Sequence, residues 1–277
     1  MCLTRMRITT FNTKPIYSIP FLNAGRRPNQ FYTDKLLVYH GQVDGLPDSI
    51  DCIIATADLQ GREMLRPKPK GPPRLLGEVL PNLIEDVLCD LGLIDMDRIL
   101  TLLAGDFYTY EDLRGRGGTG NVDSVWEAMS NAYGWVAGVA GNHDMFGSKQ
   151  STLRTFNPTT HLLDADSVDI EGISIAGLSG IIGNPKKNFR RTSEDFLDTL
   201  KLLLLDQPSI VLMHDGPDAR TLKHGKGNPD VREVLERTSP PLLVVRGHSH
   251  WSEPLVELKN GVQVLNVDCT VAILTRA

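Results

Sequence analysis

Five short apolar segments dominate the pattern of the chain, and each of them ends abruptly in polar residues. The segments are residues 50–56, 99–104, 135–140, 209–213 and 242–245. Their length and nearly continuous apolar character are typical of strands that are buried on both faces of a sheet. Between successive segments lie patterns with helical spacing, at residues 75–91, 122–133, 193–205 and 229–238. This alternation predicts an α/β fold with a mostly parallel sheet.

Two hairpin signals add an antiparallel part to the predicted fold. The dipeptides Glu171-Gly172 and Asn260-Gly261 each separate two short apolar runs, which is the pattern of a tight turn between antiparallel strands. The runs lie at residues 167–170, 173–176, 254–258 and 262–267, and a last strand is predicted at residues 271–274. Pro81 lies inside the first helical pattern and indicates that this helix is divided there.

The length of the chain favours one large main domain. Of the 277 residues, 41% are hydrophobic, which is enough for a sizeable core. We expect the main domain at residues 49–277 and an N-terminal extension, residues 1–48, that packs on it. The extension contains a predicted short strand at residues 36–39 and a predicted turn at residues 26–29.

Composition indicates a protein of the cytoplasm. The four cysteines, Cys2, Cys52, Cys89 and Cys269, are scattered without a CxxC pair, so we expect reduced thiols and no disulfide framework. The sequence contains no run of about 18 apolar residues, the length that is needed to span a membrane. The basic residues near the N-terminus are not followed by an apolar segment, so we expect no signal peptide. The net charge of −5 indicates that the protein as a whole does not bind polyanions.

The polar residues that end the five strands are of the kinds that bind metal ions or move protons. These clusters are Asp58-Leu59-Gln60, Gly105-Asp106, Gly141-Asn142-His143-Asp144, His214 and Gly247-His248-Ser249-His250. One such cluster alone would be an ordinary polar turn. Five of them at strand ends predict one site, because open α/β sheets bind ligands outside the carboxyl ends of their strands. Carboxylates, amide oxygens and imidazoles suit Mn, Fe or Zn ions, and the lack of thiolates argues against a structural zinc site.

Taken in order, these clusters resemble the pattern of the calcineurin-like metallophosphoesterases. That pattern reads D-x-H, G-D, G-N-H-D/E, H and G-H-x-H, and the resemblance covers roughly residues 50–270. It implies a four-layered α/β sandwich, with mixed sheets flanked by helices and two metal ions at the strand ends.

The resemblance also implies a role for each matching residue. The first metal ion is expected at Asp58 and His250, the second at Asn142, His214 and His248, with Asp106 bridging the two. His143 is expected to donate a proton to the leaving oxygen of the substrate, and Asp144 to orient His143.

Two further residues in or near the first cluster are expected to belong to the site. Gln60 stands where the family has a histidine, so we expect it to be a weaker ligand of the first metal ion. Arg62 follows the same cluster, and we expect it to bind the phosphate of the substrate; a solvated arginine is the alternative.

The expected function is that of a metal-dependent phosphoesterase. The resemblance implies hydrolysis of a phosphomonoester or phosphodiester by a hydroxide that bridges two divalent ions, with manganese favoured over iron or zinc. We expect a small or nucleotide-like substrate. The alternatives are a nuclease, a protein phosphatase or a non-catalytic scaffold that kept the fold. The protein phosphatase motif G-D-x-x-D-R-G does not occur at Gly105-Asp106, and only Gln60 departs from the ligand pattern, which disfavours a scaffold.

The basic residues are concentrated in four loops that mostly follow strand ends. About half of the 29 Lys and Arg residues lie there: Arg62, Arg66, Lys68, Lys70, Arg74, Arg114, Arg116, Lys186, Lys187, Arg190, Arg191, Arg220, Lys223 and Lys226. A cationic rim would attract a phosphate-rich substrate; ordinary solvated loops are the alternative. Few aromatic residues accompany these charges, so a base-stacking surface for nucleic acid is not indicated, and the oligomeric state is left open.

Overall fold

A computed structural model of the chain describes residues 6–25, 27, 30–64, 71–115, 117–147 and 157–277. Except for Arg27, the turn predicted at residues 26–29 lies outside the described residues, as do Arg66, Lys68, Lys70 and Arg116. No helix in these ranges is long and apolar enough to cross a membrane.

Four helices and two large sheets make up the described part of the chain. The helices are α1 (Leu76–Asp90), α2 (Asp123–Ala132), α3 (Ser193–Leu205) and α4 (Pro229–Glu236), with a 3-10 turn at Met96–Arg98. The strands are β1 (Arg7–Phe11), β2 (Tyr17–Ala24), β3 (Phe31–Asp44), β4 (Cys52–Ala57), β5 (Ile99–Leu103), β6 (Gly120–Asn121), β7 (Trp135–Gly138), β8 (Asp144–Met145), β9 (Thr160–Leu162), β10 (Asp166–Ile170), β11 (Ile173–Leu178), β12 (Ile181–Ile182), β13 (Arg190–Arg191), β14 (Ile210–Met213), β15 (Leu243–Arg246), β16 (Leu255–Glu257), β17 (Gln263–Asn266) and β18 (Thr270–Arg276).

Each large sheet has a parallel centre with antiparallel strands beside it. The first sheet has the order β1-β3-β18-β4-β5-β7-β9, with β2 paired to β3, and the second has the order β10-β11-β14-β15-β17-β16. Strands β4, β5 and β7 are parallel, as are β11, β14, β15 and β17. The two predicted hairpins are confirmed as the antiparallel pairs β10–β11 and β16–β17.

The alternation of side chains along the central strands divides the core into separate layers. In β4, Cys52 and Ile54 pack towards α1 and α2, whereas Ile53 and Ala55 pack towards the second sheet. The other face of the second sheet, including Val211, packs on α3 and α4. Because successive residues of a strand point to opposite faces, apolar runs such as these fill two layers at once. The predicted four-layered α/β sandwich is therefore confirmed.

The prediction that Pro81 divides its helix is wrong, because α1 runs through it without a break. A proline inside a helix removes one backbone hydrogen bond and usually destabilises the helix by about 3 kcal/mol. Here Leu76, Val79, Leu80 and Ile84 are all buried on either side of it. The Glu78 carboxylate also accepts a hydrogen bond from the Leu75 backbone N–H (2.9 Å), which stabilises the first turn. Packing and capping outweigh the cost of the proline.

The N-terminal segment contributes strands to the first sheet. The short strand predicted at residues 36–39 is part of β3, which is much longer and pairs with β1, β2 and β18. Leu37 of β3 is level with Thr270 of β18, and Thr270 is level with Ala57 of β4. Residues 31–36 therefore extend past the sheet at the edge where Ala57 ends its strand.

Candidate metal centre

The residues after β4, β5 and β15 turn sharply out of the sheets. Asp58, Asp106 and His248 have positive φ angles of 55°, 62° and 69°. This left-handed conformation is uncommon for residues other than glycine, and such conformations concentrate at functional sites, where the surrounding structure maintains them. The backbone thus turns at three of the predicted ligands, all at the same edge of the sandwich.

Two glycines allow the loops after β5 and β7 to touch each other directly. A Cβ atom on Gly105 would lie 2.4 Å from the Gly141 backbone nitrogen, and one on Gly141 would lie 2.0 Å from Asp106 Oδ1. Any side chain at either position would separate the loops. The glycines of the predicted motifs therefore bring the Asp106 loop against the loop that carries Asn142 and His143.

Three predicted ligands form the centre of the site. The ligand atoms of Asp106, His214 and His248 lie within 4.8 Å of one another, and His214 Nε2 is 3.3 Å from Asp106 Oδ2. The other ring nitrogen of His214, Nδ1, donates a hydrogen bond to the Ala104 carbonyl (2.7 Å). Since a carbonyl only accepts, Nδ1 carries a proton, and Nε2 is the ring nitrogen that is directed towards Asp106, which is the orientation of a metal-binding histidine.

The charges around His214 favour a cation at this point. Burial lowers the pKa of His214, but the carboxylates of Asp106 and Asp58 raise it more, to about 10. Burial and the neighbouring His214 lower the pKa of His248 to about 4, so that ring is neutral, as a metal ligand must be. Burial raises the pKa of Asp106, but His214 and His143 lower it more, and the carboxyl is ionised.

Two of the predicted ligands have a buried side-chain atom without a hydrogen-bond partner among the described residues. The atoms are Asn142 Oδ1 and His214 Nε2. Leaving a buried polar atom unpaired costs about 1–3 kcal/mol, so such atoms need an explanation. A divalent ion beside Asp106 and His248 would satisfy both atoms. The donor set present therefore fits a metal ion at Asp106, Asn142, His214 and His248.

Asp58 and His250, the predicted ligands of the first metal ion, line a cavity of about 590 Å³. Asp106 and His248 line the same cavity. Asp58 Oδ2 accepts a hydrogen bond from the His248 backbone N–H (2.8 Å), and burial raises the pKa of Asp58. His250 is largely exposed, and its Nδ1 lies 3.5 Å from Asp268 Oδ2. Asp268 lines the cavity too and has no counterpart in the motifs; its only sequence signal is a carboxylate directly after an apolar run.

Gln60 lies beside the predicted bridging carboxylate. Its side-chain nitrogen, Nε2, donates a hydrogen bond to Asp106 Oδ2 (3.0 Å). The donor end of the amide therefore faces the ligand group, whereas a metal ion would need the oxygen. Metal binding by Gln60 stays a prediction.

His143 lines the cavity, and Thr119 contacts its ring. The backbone N–H of His143 donates to Asp106 Oδ1 (2.9 Å), and Nδ1 of its ring is 3.3 Å from Thr119 Oγ1. Sequence reasoning missed Thr119, because it lies in a glycine-rich loop outside the motifs and only the fold brings it to residue 143.

Asp144 lies between the loop that carries Asp106 and its own loop. Its carboxylate is fully buried and accepts hydrogen bonds from the backbone N–H groups of Asp106, Phe107 and Gly141, each at 2.8 Å. Burial and the nearby Asp106 raise its pKa to about 6, although the three N–H groups act in the opposite direction. Asp144 thus holds together the two loops that carry Asp106 and His143. These contacts run to the backbone, and the orientation of His143 by Asp144 stays a prediction.

The structure does not bring Arg62 into the cavity. Arg62 is 5% exposed, and its guanidinium donates to the carbonyls of Tyr110 (3.1 Å), Pro73 (2.6 Å) and Thr109 (2.6 Å). These bonds fasten the loop after Asp106 to the segment before α1. Binding of substrate by Arg62 stays a prediction.

Arg246, at the end of β15, is a further residue that sequence reasoning missed. It is fully buried, and its Nη1 donates to the carbonyls of Ser249 (3.3 Å) and Lys226 (3.4 Å). Burial lowers its pKa to about 10. The side chain supports the loop that carries His248 and His250, and an arginine that ends an apolar strand was the available signal.

The described basic residues surround the site unevenly. Arg220, Lys223 and Lys226 line a cleft of about 700 Å³ that also reaches His248. Several other charges are neutralised: Arg74 pairs with Glu63 (3.0 Å), and Arg191 pairs with Asp164 and Asp195 (both 2.9 Å). The cationic rim is therefore partly neutralised by acidic neighbours.

The fold and the site together are those of an α/β protein with a candidate metal centre. The site combines an Asp-His-His group and an unpaired Asn oxygen at the strand ends of a four-layered sandwich. Comparison with protein families makes the assignment specific: the model of the calcineurin-like phosphoesterase family matches residues 53–252, well over half of the chain. The chain belongs to this family. Membership supports a metal-dependent activity on phosphate esters.

The comparison with solved structures agrees on the fold. The chain is similar to the crystal structure of TT1561 of Thermus thermophilus, with 18% sequence identity and a TM-score of 0.51. The match covers 79% of this chain and 90% of that one. A search of the curated proteins found no match.

Proposed function

We propose that the protein hydrolyses a small phosphomonoester or phosphodiester and that it uses two divalent metal ions, of which manganese is the favoured kind. The observation that carries the proposal is the convergence of Asp106, His214 and His248, together with an unpaired buried oxygen on Asn142, whose neighbours Gly141 and His143 contact Asp106. A set of carboxylate, amide and imidazole ligands suits Mn, Fe or Zn. The cavity of about 590 Å³ has the size of a small-molecule site, which supports a small substrate over a protein.

The proposal assigns the ligands to two overlapping groups. Asp106, Asn142, His214 and His248 would hold one ion, and Asp58, Asp106 and His250 the other, with Gln60 beside Asp106. When bound, such ions would make hydroxide available near neutral pH and would neutralise the oxygens of the phosphate. Asp58 also helps to position His248 in the other ligand group, because its carboxylate accepts a hydrogen bond from the His248 backbone N–H.

His143 is proposed as the residue that protonates the leaving oxygen. His143 lines the cavity, and its backbone N–H donates to Asp106 Oδ1, so its side chain is held close to the ligand group. An imidazole suits proton transfer near neutral pH. Thr119 fixes the ring from the side of Nδ1, and Asp144 acts through the backbone of the two loops.

The first test is hydrolysis by His143→Ala. We expect the variant to keep its metal ions, measured by elemental analysis of purified protein, because His143 is not among the proposed ligands. We expect hydrolysis of an alkyl phosphate to fall about 10²–10⁴-fold, since its leaving group needs a proton. Hydrolysis of p-nitrophenyl phosphate should fall much less, because nitrophenolate leaves unprotonated.

The control is His161→Gln, a change in β9 that should alter neither rate nor metal content. Loss of metal in His143→Ala would contradict the role given to His143. A wild-type protein that binds no divalent ion and hydrolyses neither p-nitrophenyl phosphate nor its bis ester would favour the scaffold alternative.

Replacing Gln60 tests whether residue 60 faces the first metal ion. Gln60→His is expected to tighten the weaker metal site about tenfold, which is about 1.4 kcal/mol of binding free energy, because imidazole replaces a donor that now bonds Asp106. Titration of metal-free protein with Mn measures this change. The exposed Gln207→His serves as control, and an unchanged affinity in Gln60→His would mean that residue 60 does not reach the ion.

The described cysteines support a reducing compartment, and we retain the cytoplasm as a proposal. Cys52 and Cys89 are free thiols, and Cys52 is buried. Such thiols are usual in proteins that are kept reduced.

A further inference from the structure

The N-terminal hairpin of β2 and β3 stands beside the candidate metal centre. Leu37 is level with Ala57, and Asp58 follows Ala57 directly, so residues 31–36 of β3 extend past the strand end at which the metal ligands begin. Strand β2 pairs with this part of β3, from Ala24 opposite Phe31 to Ile19 opposite Leu36. The backbone of Leu22 also exchanges hydrogen bonds with Arg62 (2.8 and 2.9 Å), which anchors the hairpin to the loop after Asp58.

Residues of this hairpin form one wall of the cavity that holds the ligands. Asn23, Tyr32, Asp34 and Lys35 line it together with Asp58, Asp106 and His248. None of these four residues belongs to the motifs of the metal centre, and they lie before the segment that matches the family. The wall is therefore a feature of this chain's own N-terminal segment.

The acidic group in the wall is already engaged by its neighbours. Asp34 Oδ2 accepts hydrogen bonds from Asn23 Nδ2 (3.0 Å) and Tyr32 Oη (3.1 Å), and its Oδ1 accepts one from the Lys35 backbone N–H (2.9 Å). These donors disperse the negative charge and fix the carboxylate on the hairpin. The bond to the Lys35 backbone N–H also fixes the backbone at residue 35.

The ammonium group of Lys35 forms no comparable ion pair with the described residues. Its side chain is exposed, and among the described residues no carboxylate forms an ion pair with its ammonium group. Lys35 lines the same cavity as the proposed metal ligands, and a long cationic side chain at this position would attract a second anionic group of a bound phosphate ester. The cavity volume of about 590 Å³ lies within the usual range of small-molecule sites.

We propose that Lys35 makes the site selective for phosphate esters that carry a second anionic group, such as a nucleoside bisphosphate, over esters that carry only the scissile phosphate. This inference rests on the proposed function and names its substrate class. Lys35 acts on binding of the distant group, and the metal ions with His143 act on the scissile phosphate. The N-terminal segment thereby has a role in substrate choice.

The test compares two ligands that differ by one phosphate group, adenosine 3′,5′-bisphosphate and adenosine 5′-monophosphate. Each is measured as a competitor of p-nitrophenyl phosphate hydrolysis and by calorimetric binding to the Mn-loaded protein. In Lys35→Ala we expect the bisphosphate to bind about five- to tenfold more weakly, as for one partly screened charge pair. The monophosphate constant and the kcat for p-nitrophenyl phosphate should change less than about twofold.

Three control variants make the result specific. Lys35→Arg should retain the preference, because it keeps the charge. Lys14→Ala removes an exposed lysine of the same N-terminal segment that does not line the cavity, and it should change neither constant. Lys223→Ala tests the neighbouring cleft, and it should leave the preference intact.

Each opposite outcome overturns the proposal. Equal weakening of both ligands in Lys35→Ala would mean that Lys35 binds the scissile phosphate or supports the fold. Loss of the preference in Lys223→Ala, but not in Lys35→Ala, would place the second anion in the other cleft. If wild-type protein hydrolyses nothing, the proposed activity fails separately, and the calorimetric comparison still decides whether Lys35 recognises the second anion.

Discussion

Asp106→Asn is expected to remove metal binding and to lower hydrolysis of p-nitrophenyl phosphate at least about a thousandfold. Asp106 is the one residue shared by both proposed ion sites, and its carboxylate contacts His214, Gln60 and the His143 backbone N–H. An amide has no charge to hold the cations together. Metal-assisted catalysis supplies several kcal/mol of transition-state stabilisation, and each 1.36 kcal/mol is a factor of about ten in rate.

Metal content by elemental analysis and initial rates at saturating Mn measure the two effects. The fold should survive, because an Asn at position 106 still offers an oxygen to the His143 N–H. Asp112→Asn is the matched control, since it removes a carboxylate that is exposed on the same loop. Two bound ions and a rate within about tenfold of wild type in Asp106→Asn would refute the bridging role.

Asp144→Ala should destabilise the metal-free protein by about 3–5 kcal/mol. The change removes a buried carboxylate and leaves three backbone N–H groups, those of Asp106, Phe107 and Gly141, without their acceptor. Each buried donor left unpaired costs about 1–3 kcal/mol, and neighbouring losses of this kind are not fully additive. Urea denaturation of the metal-free protein measures this free energy of unfolding and separates the structural effect from metal binding.

Asp169→Ala provides the comparison for Asp144. Asp169 also accepts a backbone hydrogen bond, from Gly172 (2.9 Å), but it lies on an exposed hairpin, so its loss should cost under about 1 kcal/mol. A similar small cost in Asp144→Ala, together with a large loss of kcat, would instead support a role of Asp144 mainly in orienting His143.

Local sequence patterns predicted the regular elements well where the signal was strong. Helix α3 has the predicted bounds, because Thr192 caps it by accepting from the Asp195 N–H (3.2 Å) and its apolar residues recur at helical spacing. The full length of β3 escaped prediction, since its first residues, 31–35, lie mostly exposed and show no apolar alternation. The continuity of α1 through Pro81 also depended on packing that a local pattern does not contain.

The sequence by itself determined which residue types would gather at the metal centre and in what order along the chain. Five apolar runs that end in Asp, Asn and His predict a shared strand edge, because parallel strands bring their carboxyl ends together. Only the tertiary structure decided which atoms meet. Thr119 reaches the His143 ring, Asp58 holds the His248 backbone 190 residues away, and Lys35 lines the cavity. Such partners are set by the order and register of strands in the sheets, which depend on packing of the whole core.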